Sequence, residues 1–180
     1  MKHILKAFFT ISVLLLFIPG KAFSLGAGIQ IGAVPGLLIN QDNVQFENLT
    51  GNITGTFKME RLPVTAGTGI ELGKVFSDFN FGFSAFADYR AIDLQLINIW
   101  SLYSGFGASA KLLTDDFEDW KFAAGARFFA GMNWLFYDGY IELYAQQNIV
   151  PTYLKDLKQP DTSAAFMLCL PFEAGLRMHF

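Results

Sequence analysis

The chain closes with Phe166-Met-Leu-Cys-Leu-Pro-Phe-Glu-Ala-Gly-Leu-Arg-Met-His-Phe180, and these residues sort by twos onto two faces. Phe166, Leu168, Leu170, Phe172, Ala174, Leu176, Met178 and Phe180 fall on one side; Met167, Cys169, Pro171, Glu173, Gly175, Arg177 and His179 fall on the other. A period of two is that of a β-strand, whose successive side chains point to opposite faces. Because one of these faces is wholly apolar, the strand needs hydrocarbon along one side.

The opposite terminus reads as an export signal. Lys2 and Lys6 precede an apolar run over residues 7–18, Pro19 and Gly20 interrupt it, and Ala22 and Ser24 are small residues flanking Phe23. A membrane-spanning helix needs about 20 apolar residues, more than this run supplies. Residues 1–24 are therefore expected to be a cleaved signal peptide, leaving one domain over residues 25–180. Cleavage removes Lys2, Lys6 and Lys21, so 13 basic residues become 10 against 16 acidic ones, a formal charge of −6. That charge argues against a nucleic-acid partner. The single cysteine, Cys169, excludes an internal disulfide and a cysteine metal cluster, and reads as an inward-facing filler.

Charged residues are 16% of the chain, below the usual quarter or so, and aromatics also reach 16%. After the signal no apolar stretch is long enough for a spanning helix. Apolar surface without helical spans implies strands in lipid, a pattern that must recur to be believed. It recurs eight times, over about 25–34, 49–60, 64–74, 79–90, 99–112, 121–134, 140–150 and the closing strand. Each puts residues such as Ile29, Ile53, Ile70, Phe83, Phe106, Phe128 and Leu143 on one face and Gly, Ser, Thr, Asn or an occasional charge on the other. Between strands, residues 36–48 read as a polar loop, Arg61-Leu62-Pro63 as a tight turn and residues 113–119 as an acidic loop. Asp138-Gly139 supplies the positive φ of a hairpin turn, and Pro151 ends the seventh strand.

A water-soluble barrel with an apolar lumen would show a Lys- and Glu-rich polar face. Here that face is small and nearly neutral, as suits a narrow lumen. Aromatics gather at strand ends as a membrane girdle would: Tyr89, Trp100, Trp134, Phe136, Tyr137, Tyr140 and Phe180 at one rim, and Phe76, Phe79, Phe117, Trp120 and Tyr153 at the other. The expected fold is thus all-β, an eight-stranded antiparallel up-and-down transmembrane barrel.

One repeat stands out. Gly26-Ala-Gly-Ile-Gln-Ile-Gly-Ala-Val recurs as Gly67-Thr-Gly-Ile-Glu-Leu-Gly-Lys-Val, with an echo at Gly105-Phe-Gly. A dinucleotide fingerprint needs a third glycine three positions on and a following helix, and neither occurs. Inward glycines instead make room in a lumen only just wide enough for side chains, which Phe86, Tyr103, Phe129 and Tyr144 are expected to fill. The inward charges are Lys58, Glu71, Asp88, Arg90, Lys111, Lys121, Arg127, Glu142, Glu173 and Arg177. Ions confined in a lumen must be paired, because desolvating one alone costs several kcal/mol. Pairs among Arg127, Arg177, Glu142 and Glu173 are expected, forming a ladder that plugs the barrel; a gated ion path is the alternative. No catalytic or zinc-type constellation appears: His3 leaves with the signal and His179 lies beside the C-terminus. Asp115, Asp116, Glu118 and Asp119 read as a solvated acidic tip.

The closing strand, with its terminal Phe180, resembles the C-terminal signature that the barrel-assembly machinery reads in bacterial outer-membrane barrels, carried here by Phe172, Ala174, Leu176, Met178 and Phe180. The mature chain is similar throughout to small eight-stranded barrels of the OmpX and OmpA-transmembrane type. Leu102-Tyr-Ser-Gly-Phe-Gly, Gly125-Ala-Arg-Phe, Ile141-Glu-Leu-Tyr, Val150-Pro151 and Glu173-Ala-Gly-Leu-Arg-Met-His-Phe resemble, more narrowly, short-loop barrels of spirochaetes and Bacteroidetes. The resemblance implies a monomeric integral outer-membrane protein without a cofactor or enzymatic activity. Its partners would be membrane lipid, the assembly machinery and external macromolecules met through loops. Two roles follow as expectations: a structural and surface-contact protein with a plugged lumen, or a small OmpW-like channel for small or amphipathic molecules.

Overall fold

The computed structural model describes residues 25–39, 44–59, 62–75, 78–115, 117, 119–157 and 165–180. The expected signal peptide lies outside them, as do Arg61, Phe76, Asp116 and Glu118. The strands are β1 (Leu25–Ile39), β2 (Val44–Met59), β3 (Val64–Val75), β4 (Asp78–Ile97), β5 (Trp100–Thr114), β6 (Trp120–Phe136), β7 (Ile141–Asp156), β8 (Ala165–Cys169) and β9 (Phe172–His179). Neighbours pair antiparallel throughout, and β1 pairs with β2 on one side and with β8 and β9 on the other. β8 and β9 are halves of one barrel strand, since Gly36 faces Cys169 and Ala33 faces Phe172 in an unbroken register. The sheet closes as an eight-stranded up-and-down barrel with no edge left to pair.

The register also gives the stagger. Stepping across strands from Gly28 to Thr56, Gly67, Phe86, Ser109, Gly125, Thr152 and Met167 returns to β1 at Leu38, ten residues beyond the start. Strands in such a barrel tilt by roughly 35–45° to its axis. Residues level with one another in the lumen therefore include side chains from strands that do not pair, besides ladder partners such as Glu142 and Arg177.

The two faces of the wall are inverted relative to a soluble protein. Outward Ile29, Ile31, Ile53, Phe83, Phe106, Phe128, Ile149 and Phe172 are exposed, while inward Gln30, Thr54, Glu71, Asp88, Arg127, Glu142, Asn148, Glu173 and Arg177 are buried. Only an apolar solvent stabilises that arrangement, and closure lets the ladders satisfy the backbone within it. Trp100 and Trp134 meet edge to face with ring centroids 5.0 Å apart, and Tyr140 and Phe180 do the same at 6.1 Å. Both pairs lie at the end where Leu25 and Phe180 join through backbone hydrogen bonds, called here the terminal end. The connections after β1, β3, β5 and β7 mark the loop end.

Strand ends depart from the expectation in four places. Residues 36–48 are not one loop: β1 continues to Ile39 and β2 starts at Val44, with a register shift between Gly36 and Leu37. Pro151 does not end β7, which runs to Asp156. It removes one amide on the β6 side, and the β6–β7 ladder simply skips from Gly125–Thr152 to Phe128–Ile149. β4 passes Arg90 and reaches Ile97 through two bulges, and β5 includes Leu113 and Thr114. At the β6–β7 hairpin Tyr137, Asp138 and Gly139 all take positive φ (51°, 56° and 90°), so the left-handed stretch begins one residue before Asp138-Gly139.

Candidate functional site

Inside the barrel the glycines and aromatics interlock. Phe86 faces Gly67, Phe129 faces Gly105, Tyr103 faces Gly131 and Tyr144 faces Gly175, each directly across a pair of strands. A Cβ built on any of these glycines would come within 2.5–2.7 Å of the facing ring. Each ring thus occupies the space that a side chain at the facing glycine would need. Three of these rings carry an arginine over a face: Arg127 over Phe86 at 4.4 Å, Arg90 over Tyr103 at 3.8 Å and Arg177 over Tyr144 at 4.1 Å. Cation–π contact adds about 1–2 kcal/mol to each stack when desolvated, and it fixes the direction of each guanidinium.

So directed, the arginines meet carboxylates in layers. Nearest the terminal end, Glu142 of β7 has no exposed surface and gathers four basic side chains plus an amide. Arg177 Nη1 donates to it at 2.9 Å, Asn133 Nδ2 at 2.8 Å, Lys58 Nζ at 3.2 Å and Arg90 Nη2 at 3.3 Å, while His179 Nε2 lies 3.0 Å away. Arg90 also reaches the exposed Asp93 at 3.2 Å. In the middle layer Arg127 bridges Asp88 (Nε, 2.9 Å) and Glu173 (Nη2, 2.9 Å), and Gln146 and Asn148 donate to Glu173 at 2.8 and 2.9 Å. Closer to the loop end Lys111 pairs with Glu71 at 2.7 Å, and Thr50 donates to the same carboxylate. Lys121 stands at the rim instead, 3.5 Å from Asp115 of the adjoining connection.

Of the four residues expected to pair, Arg177 does so with Glu142 and Arg127 with Glu173. Two features were not anticipated. One is the sharing of Glu142 among several cations. The other is that the loop end is closed partly by hydrocarbon: Val34, Val150, Met167 and Cys169 form one buried cluster, and Leu113, Ala123 and Leu154 form another. Leu113 and Leu154 lie in stretches that read as connections in the sequence, where alternation gives no sign of their inward parity. Among the described residues, lumen cavities of about 20 and 10 Å³ lie between these layers, room for roughly one or two water molecules. In the closing strand Phe172, Leu176, Met178 and Phe180 point outward, as the alternation requires, with Ala174 half-buried among them.

No protein-family model matches the chain, and no curated protein matches it in sequence. Among solved structures it resembles Neisserial surface protein A (NspA), with a TM-score of 0.56 and 13% identity over 86% of this chain and 97% of that one. The chain has the fold of a small eight-stranded outer-membrane β-barrel. Ail, the attachment invasion locus protein of Yersinia pestis, solved in complex with the heparin analogue sucrose octasulfate, is also similar, with a TM-score of 0.46 and 12% identity over 87% of this chain and 99% of that one. At 13% identity the likeness to NspA speaks for the barrel fold alone.

Proposed function

We propose that this protein is a non-catalytic integral protein of the outer membrane whose lumen is a plug and whose work is structural. Residues 1–24 serve as the export signal, and Phe172, Ala174, Leu176, Met178 and Phe180 form the outward stripe that the assembly machinery reads. The barrel is a monomer, with lipid as its principal partner. Contacts with external macromolecules fall to the loop-end connections, which are short. β3 and β4 are joined by residues 76–77 alone, and β1 and β2 by residues 40–43.

The observation that carries the reading is the filling of the lumen. Four aromatic rings, a three-layer charge network and two apolar clusters occupy it, and the lumen cavities that the described residues line measure only about 20 and 10 Å³. The test is planar-bilayer recording on the refolded mature chain, with its heat-modifiable shift on gels as proof of folding. Folded protein is expected to leave the bilayer at baseline conductance. Reproducible single-channel steps from folded protein would replace the plug with the channel reading.

A further inference from the structure

Gln147 is a polar side chain on the lipid-facing side of β7, among Ala130, Ala145, Ile149 and Phe172, and nothing in the alternation explains it. The explanation lies in two prolines. Leu170 and Pro35 stand opposite one another where the eighth barrel strand meets β1. The Leu170 amide donates to Pro35 O at 2.8 Å, but Pro35 has no N–H to return to Leu170 O. On the other side of the same strand, the Asn148 amide donates to Pro171 O at 2.8 Å, and Pro171 has none to return to Asn148 O. Two carbonyls thus lose their ladder donors on either side of the closing strand, in a wall where lipid offers no replacement.

The Gln147 carboxamide reaches both. Its Nε2 lies 3.1 Å from Leu170 O and 3.2 Å from Asn148 O, and 3.2 Å from Pro171 O between them. From the lumen side Asn148 Nδ2 donates to Pro171 O at 3.2 Å. We propose that Gln147 is the latch of the barrel's closing seam: its amide supplies, from the lipid face, the donors that Pro35 and Pro171 withhold, and so holds the eighth strand to β7 where backbone pairing is interrupted.

Gln147→Leu tests this with opposite signs. An outward leucine is better solvated by hydrocarbon than glutamine, so without a latch the substitution leaves the urea midpoint in lipid vesicles unchanged or raises it. With the latch, the midpoint falls, and the Asn148 and Leu170 amides exchange with deuterium at least tenfold faster while β2–β5 amides keep their rates. Pro171→Ala returns an N–H to Asn148 O, so Gln147→Leu should lower the midpoint less in that background than in the natural one. Should Gln147→Leu alone fail to refold, refolding of the Pro171→Ala/Gln147→Leu double variant supports the latch. A raised or unchanged midpoint, an equal loss in both backgrounds, or failure of both to refold overturns it.

Discussion

At the terminal end of the lumen Lys58, Arg90, Arg177 and His179 converge on one buried carboxylate, Glu142. At the loop end Val34, Val150, Met167, Cys169, Leu113, Ala123 and Leu154 close much of the same cross-section with hydrocarbon. The two closures fail differently. A charge hub depends on its shared carboxylate, because removing Glu142 leaves the cations around it buried and unmatched. A hydrocarbon closure depends on volume, and each deletion costs only what it vacates.

The largest loss is therefore expected from Glu142→Ala, which strands Arg177 and weakens Lys58 and Arg90. Breaking a buried pair in this way costs about 3–5 kcal/mol, readable as a drop in the urea midpoint of the refolded barrel. Glu142→Gln, which keeps acceptor geometry without the charge, should recover part of it; full recovery would show that charge is irrelevant to the hub. Leu154→Ala comes next, at about 2–5 kcal/mol for a buried leucine, with the lower part of that range expected beside a loop. Neither variant should conduct, since each leaves the other closure in place. Conductance from Glu142→Ala alone would show that the loop-end closure does not seal the lumen.

A smaller loss is expected from Gly67→Ala, whose methyl would sit 2.5 Å from the Phe86 ring. Displacing that ring costs about 1–3 kcal/mol, and Gly67→Ala combined with Phe86→Leu should be milder than the sum of the single variants. Strict additivity would dissolve the stack. The smallest effect belongs to Asp93→Ala: Asp93 binds the same Arg90 as Glu142 does, but in solvent, where an ion pair is worth about 1 kcal/mol or less. A loss as large as that of Glu142→Ala would mean that burial does not separate the two pairs.

Much of this is legible in the sequence. The period of two separated the outward from the inward set in strand after strand, and the inward glycines announced that bulky rings had to lie over them. What stayed hidden was height. Arg177 meets Glu142 as its ladder partner, but the tilt and stagger also bring Lys58 of β2 and Arg90 of β4 to the same level, from strands that do not pair with β7, and no local pattern encodes that. Proline misled in a particular way: at Pro151 it removes one donor on one side of the strand, and the chain continues because the other side still pairs with β8. At the loop end Leu113 and Leu154 face inward against the polar pattern, so alternation stopped signalling strand before the strand itself stopped.

The four ring-on-glycine contacts also bear on how such a barrel can change over generations. Gly67 with Phe86, Gly105 with Phe129, Tyr103 with Gly131 and Tyr144 with Gly175 each behave as a single heritable unit: a larger residue is admissible at one position only when its partner shrinks. Relatives of this chain should show the two positions of a unit trading size. Such traded pairs would report the register of β3 on β4, β5 on β6 and β7 on β9 from sequences alone.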